Sequence, residues 1–267
     1  YGHRYSPTTV SNITKVTQEN VIAFHERSLQ TNYSILYLDG TYLSLRRGTV
    51  SKECVHIALG ITPEGYKSVL GYEIAPNENN VSWSELLGKL QNQGLKQVSL
   101  VVTDGFNGLD QIIQQAYPMA KQQRCLVHIG RNISSKVKQV DRAPILNQFK
   151  QIYRANSPEE ASKLLEQFIS EWKPRYKKVM SSLETTDNLL TFYQFPHHIW
   201  PSIYSTNLIE SLNKEIKRQS KKRVVFPNEN ALERCLVNIF DDYNAKFECR
   251  IHKGFGSCFD TLDSLFD

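Results

Sequence analysis

Residues 98–105 read VSLVVTDG. This nearly continuous run of valine and leucine has the pattern of a strand buried on both faces of a sheet, and it closes on an aspartate and a glycine. What surrounds it decides the fold. On its N-terminal side, residues 82–93 carry Trp83, Leu86, Leu87 and Leu90 at helical spacing. Upstream again come three β-branched and aromatic runs, SILYLDGTYLSLRRG (34–48), ECVHIALGI (53–61) and YKSVLGYEIA (66–75). Their short glycine-bearing connections predict an antiparallel meander, which Pro76 and the asparagine cluster at 77–80 bring to an end. Downstream, residues 106–116 return to helical spacing and 120–125 predict a further short strand. Three strands, helix, strand, helix, strand is the order of an α/β domain with a mixed sheet flanked by helices.

From about 132 to 196 the texture changes. ILNQFKQIY, EEASKLLEQFISEWKPRY and SSLETTDNLLTFY have helical periodicity and almost no strand signal. Ser157-Pro158 with Glu159 and Glu160 is a helix start with acids in its first turn. This block reads as an all-helical insertion, residues 132–200, between a first core segment (31–131) and a second (201–267). At the other end, Ser6-Pro7 starts a short helix over 8–16, and a second helical stretch covers about 18–27. Two short helices in a row suggest the tail of a helix-turn-helix module in residues 1–30, and equally two connector helices packed on the main domain. The chain opens at Tyr1 rather than methionine, which reads as the remainder of a longer protein.

Composition narrows the class. Hydrophobic residues make up 40% and charged residues 22% of the 267 positions, the balance of a globular protein rather than a disordered one. No apolar run approaches the roughly 20 residues that span a bilayer. Five scattered cysteines are no disulfide framework and fit a reducing cytoplasm. The net charge of +5 is mild, so its distribution matters more than its size.

Asp39 follows the strand run of 34–38 and precedes Gly40, as Asp104 follows LVVT and precedes Gly105. Aspartates are expensive inside a sheet and cheaper at strand ends, where open sheets bind ligands. Either Asp-Gly pair alone is an ordinary turn dipeptide. Two at equivalent strand ends, with Glu210 at the start of a later helix, suggest a shared site. Glu210 has a competing reading as the glutamate of a capping box that begins at Asn207. Phosphodiester cleavage needs an activated attacking oxygen and a stabilised leaving oxygen, and two divalent ions about 3.5–4 Å apart supply both. Mg2+ or Mn2+ takes oxygen ligands, so three carboxylates are an apt first shell.

Two further groups stand near these acids in sequence. Cys125 and His128 form a C-x-x-H pair, but a structural zinc needs four ligands and no second close pair completes the set. Lys214, Lys217, Arg218, Lys221, Lys222 and Arg223 fall within ten residues. At 3.6 residues per turn Glu210, Lys214, Lys217 and Lys221 share one helix face, opposite Leu208, Ile209, Leu212 and Ile216. A charge run is ordinarily a solvated face. Beside a metal ligand it also makes a track for the DNA backbone, which Arg46 and Arg47 extend.

Four blocks in this order, LYLDGTYLSLR (36–46), VVTDGFNGL (101–109), YPMAKQQRCLVHIGRN (117–132) and YSTNLIESLNKEIKRQSKKRVVFPN (204–228), resemble the Mutator-type transposases of bacterial insertion sequences. The resemblance covers nearly the whole chain. It implies a ribonuclease H-like fold and a DDE triad of Asp39, Asp104 and Glu210 holding two Mg2+ or Mn2+ ions. It also implies supporting roles for Cys125 and His128, with His128 near the active site. The partners it implies are transposon-end and target DNA and a second copy of the chain, in a homodimer or larger synaptic assembly at the bacterial nucleoid. The residues leave open two other functions, another ribonuclease H-like nuclease and a DNA-binding protein that has lost catalysis.

Overall fold

The computed structural model describes residues 6–221 and 225–266, the side chains of 7–14 excepted. The meander forms as the sequence predicts. β1 (Asn32–Arg47) pairs antiparallel with β2 (Thr49–Ile61), and β2 antiparallel with β3 (Lys67–Ala75). The chain then crosses through α2 (Asn80–Asn92) to β4 (Gln97–Thr103), which lies parallel to β1. It crosses again through α3 (Leu109–Ala116) to β5 (Lys121–Arg124), parallel to β4. The sheet order is β3-β2-β1-β4-β5, a mixed sheet flanked by helices that matches the ribonuclease H-like expectation.

Each face of the sheet has its own core. Alternation along β1 sends Leu36 and Leu38 to one side, where Trp83, Leu86, Leu87 and Leu90 of α2 and Ile113 of α3 cover them. Ile35 and Tyr37 face the other side, against the later helices. These are α4 (Leu126–Lys136), α5 (Gln139–Ile152), α6 (Pro158–Trp172), α7 (Lys177–Glu184), α8 (Trp200–Ile203), α9 (Asn207–Ser220), α10 (Glu229–Phe247) and α11 (Phe259–Asp263). Helices α5 to α8 share one continuous hydrophobic core with this sheet face. Residues 188–192 also close an edge of the sheet. Asn188 accepts from the backbone N–H of Arg124, and Gln123 of β5 donates to Leu189 while accepting from Phe192.

Three local expectations change. The two N-terminal helices are one, α1 (Pro7–Glu26), because residues 16–18 hold no glycine or proline to break the hydrogen-bonded run. Its Phe24 packs on Tyr72 of β3 and Phe240 of α10, so this helix is docked on the sheet. Asp39 does not end β1. The strand runs on past it to Arg47, paired with β2 and bridged at Leu45 to Phe226, and Gly40 is an in-strand residue rather than a turn. Finally, helix stops at Glu184 in the stretch 181–193; Asn188 adopts a φ of 63°, and Phe192 and Tyr193 are buried from a single 3-10 turn.

Candidate active site

The parallel ladder of β1 and β4 ends at the pair Leu38↔Thr103. One step further, the register sets Asp39 beside Asp104. The two aspartates therefore meet at the carboxyl end of a shared ladder, although only Asp104 stands just past the end of its strand. Gly105 is required there: its φ is 100°, and a Cβ would lie 2.2 Å from the Arg124 guanidinium. That guanidinium is itself ion-paired with Asp110 of α3.

Asp39 is 9% exposed and faces α9, while Asp104 is exposed. Burial, and next the charge of Asp104, push the Asp39 carboxyl up to about 7. Its Oδ2 accepts a 2.8 Å hydrogen bond from Nδ2 of Asn213. Asn213 is buried, and its own Oδ1 has no partner among the described residues.

Glu210 enters from the first turn of α9, and it is not a capping glutamate. Thr206 occupies the N-cap, Asn207 is already helical, and no side chain caps the helix start. Arg131 of α4 grips it with two hydrogen bonds, 2.8 and 3.1 Å, and His128 Nε2 stands 3.4 Å off. Burial alone would raise the Glu210 carboxyl, but the Arg131 hydrogen bonds and the charges of Arg131, His128 and Lys214 outweigh it, so it is lowered.

Cys125 and His128 form a hinge of hydrogen bonds rather than a zinc half-site. Cys125 caps α4, its sulfur accepting from the His128 amide at 3.4 Å and from the Thr206 amide and hydroxyl at 3.2 Å. The Thr206 hydroxyl also meets His128 Nδ1 at 3.2 Å. Interaction with Cys125 raises the His128 pKa, helped by the charges of Glu210 and Asp104. Burial would raise the Cys125 thiol, yet the hydrogen bonds from His128 and Thr206 lower it. The pair thus fixes how α4 and α9 meet, and with them Arg131 and Glu210.

Among the described residues no three His, Cys, Asp or Glu side chains are grouped closely enough to share a metal ion. Asp39 and Asp104 nonetheless suit a magnesium-class ion: both are oxygen donors, and they repel one another with no cation between them. Glu210 adds a smaller charge effect on Asp39 and is itself held by Arg131. Glu78 is a carboxylate that the sequence reading missed. It accepts from Trp83 Nε1 at 3.2 Å, and burial and the charge of Asp104 raise its pKa. It hides in the asparagine cluster that reads only as a breaker. Asn213 and Arg131 had a signal, each lying three residues beyond a named site residue on the same helix face. Thr206 had none.

The basic track is partly formed. Lys214, Lys217 and Lys221 are exposed along α9, and its C-terminal end meets β1, where Leu45 pairs with Phe226 and Arg46 is exposed. Arg218 is engaged with Glu215, and Arg47 is paired with Glu53 and Glu229. Lys222 and Arg223 lie outside the described residues. Among the described residues no helix is long and apolar enough to cross a membrane.

A family model described as Transposase, Mutator family matches residues 1–249. Over 267 residues the chain is 76% identical to the transposase for insertion sequence element IS905 of Lactococcus lactis subsp. lactis (strain IL1403), covering all of this chain and 68% of that protein. It is 45% identical over 234 residues to the transposase for IS1201 of Lactobacillus helveticus, covering 87% of this chain and 63% of that one. It is 30% identical over 248 residues to the transposase for IS256 in transposon Tn4001 of Staphylococcus aureus, covering 90% and 63%. The chain thus spans about two thirds of the length of these relatives.

Proposed function

The chain belongs to the Mutator family of transposases, and we propose that it carries the catalytic domain for metal-dependent cleavage of transposon ends and strand transfer into target DNA. The observation that carries this reading is the meeting of Asp39 and Asp104 one step past the Leu38↔Thr103 pair, with Glu210 near enough for its charge to act on Asp39. Asp39 and Asp104 would hold Mg2+ or Mn2+, with Glu210 as the third acid of the set. A bound divalent ion supplies Lewis-acid activation of the attacking oxygen and neutralises charge on the leaving one.

The chain's own residues have separate tasks. Asn213 keeps the Asp39 carboxylate in one orientation. Thr206 and Cys125 hold His128, whose raised pKa favours the cationic form that attracts a phosphate. Lys214, Lys217 and Lys221 lay the DNA backbone along α9 toward Glu210. Two transposon ends call for two copies of the chain, so the proposed assembly is a homodimer or larger, acting in the cytoplasm on nucleoid DNA.

The test is nicking of labelled transposon-end DNA by the full chain in magnesium. Wild type is expected to nick it and then join the freed 3′ end to target DNA, while Asp104→Asn does neither and still binds DNA. Nicking that survives Asp104→Asn sinks the mechanism, and nicking without joined products marks a plain nuclease.

A further inference from the structure

On the insertion side of Glu210, between α4 and α5, lies an open cavity of about 610 Å³ that the carboxylates do not use. Leu146 and Phe149 of α5, with Tyr153 just beyond that helix, give it an apolar and aromatic lining. Arg131 of α4 and the exposed Arg142 and Lys150 of α5 give it a cationic rim. Among the lining residues there is no aspartate or glutamate.

Gly130 lies on the wall of the cavity. It sits in the interior of α4, where glycine weakens a helix relative to alanine. Packing does not demand it. An added Cβ would meet Leu146 and Phe149 at 3.6 Å, ordinary contact distance. A side chain longer than alanine there would press on Leu146 and Phe149 or enter the cavity.

A flat apolar body joined to negative charge is the occupant these walls fit, and a nucleotide is that chemistry. Bases stack on aromatic side chains with little regard for sequence, and phosphates pair with arginine and lysine. Arg131 also connects the cavity to the acids, because it lines the one and grips Glu210 of the other. We propose that this cavity receives one unstacked nucleotide of the DNA strand at the carboxylates, its base against Tyr153 and its phosphate at Arg142 and Lys150. The proposal rests on the reading of the chain as a DNA-processing enzyme. A base that is already unpaired is the cheapest to extrude, so a frayed end is the favoured occupant.

The test uses the full chain in EDTA and two duplexes of one sequence, one blunt, the other with a mismatched terminal pair carrying 2-aminopurine. Wild type is expected to bind the frayed duplex about five-fold or more tightly than the blunt one, with a change in 2-aminopurine emission on binding. Gly130→Leu fills the cavity and is expected to bring the two affinities together and remove the emission change. Circular dichroism checks its fold, and the exposed pair Arg142→Glu with Lys150→Glu gives the same readout should Gly130→Leu fail to fold. Equal affinities in wild type overturn the proposal, and so does a frayed-end preference that survives both variants. A cavity that seats a protein segment gives the first of those results. Because the assay is metal-free, its failure leaves the nicking test of the carboxylates standing, and the reverse holds too.

Discussion

Asp39 is a charge in an unfavourable place, and its neighbours show how that is managed. It lies on the buried face of a central strand, next to a second carboxylate, with the Asn213 amide as its side-chain donor. Both burial and the Asp104 charge oppose its ionised form. Asp39→Asn keeps an acceptor for Asn213 while removing the charge. It is expected to be more stable than wild type by about 1–3 kcal/mol in urea at pH 8 with EDTA, and inactive in nicking. Magnesium should raise the melting temperature of wild type and leave the variant unmoved. Equal stability in EDTA would mean that the carboxylate is better solvated at this site than its burial indicates. Glu210 is the opposite case, a carboxylate with a surplus of cations around it.

α9 carries two jobs on two faces. Ile209, Leu212 and Ile216 anchor it in the core, and Lys214, Lys217 and Lys221 stand exposed along the other side. If those lysines each neutralise a phosphate, replacing all three by glutamine lowers the slope of log affinity against log salt by about 2 to 3, equally on any DNA sequence. An unchanged slope would make the run a solvated face and nothing more. Element identity was legible from periodicity here and in β4, α2 and α6, where the hydrophobic period is long and strongly marked. It was less legible where the decision rests on a break. Nothing in the sequence around residue 17 stops a helix, so α1 runs through, while the apparent strand end at Asp39-Gly40 is bridged by pairing to β2. A turn dipeptide yields to a ladder that can satisfy its backbone groups.

For the whole molecule, two hydrophobic layers clasp one sheet, and the C-terminal segment helps to seal the larger of them. His252 of that segment meets the Ser202 hydroxyl at 3.0 Å, and burial, then the charge of Lys67, push its pKa down to about 4. Its folded value lies below its unfolded one, so the folded state binds fewer protons between about pH 4 and 6.5. The stability it supports is whole above that window and is lost as the pH falls through it. The partly desolvated carboxyls of Glu233 and Asp241 are shifted upward and pull the other way. The comparison with His252→Gln isolates the effect: wild type should lose stability relative to the variant from pH 6.5 to 4 in urea titrations, and a constant difference would refute it. The amino-acid sequence by itself determined the strands, the helices, their order and two strand-associated aspartates, because backbone periodicity and turn chemistry act over a few neighbouring residues. Only the tertiary structure decided that Asp39 pairs with Asn213 174 positions away, and that Arg131 holds Glu210 79 positions away. Those meetings depend on sheet register and on how far each helix is rotated about its axis, which the packing of the whole core sets and no local pattern encodes.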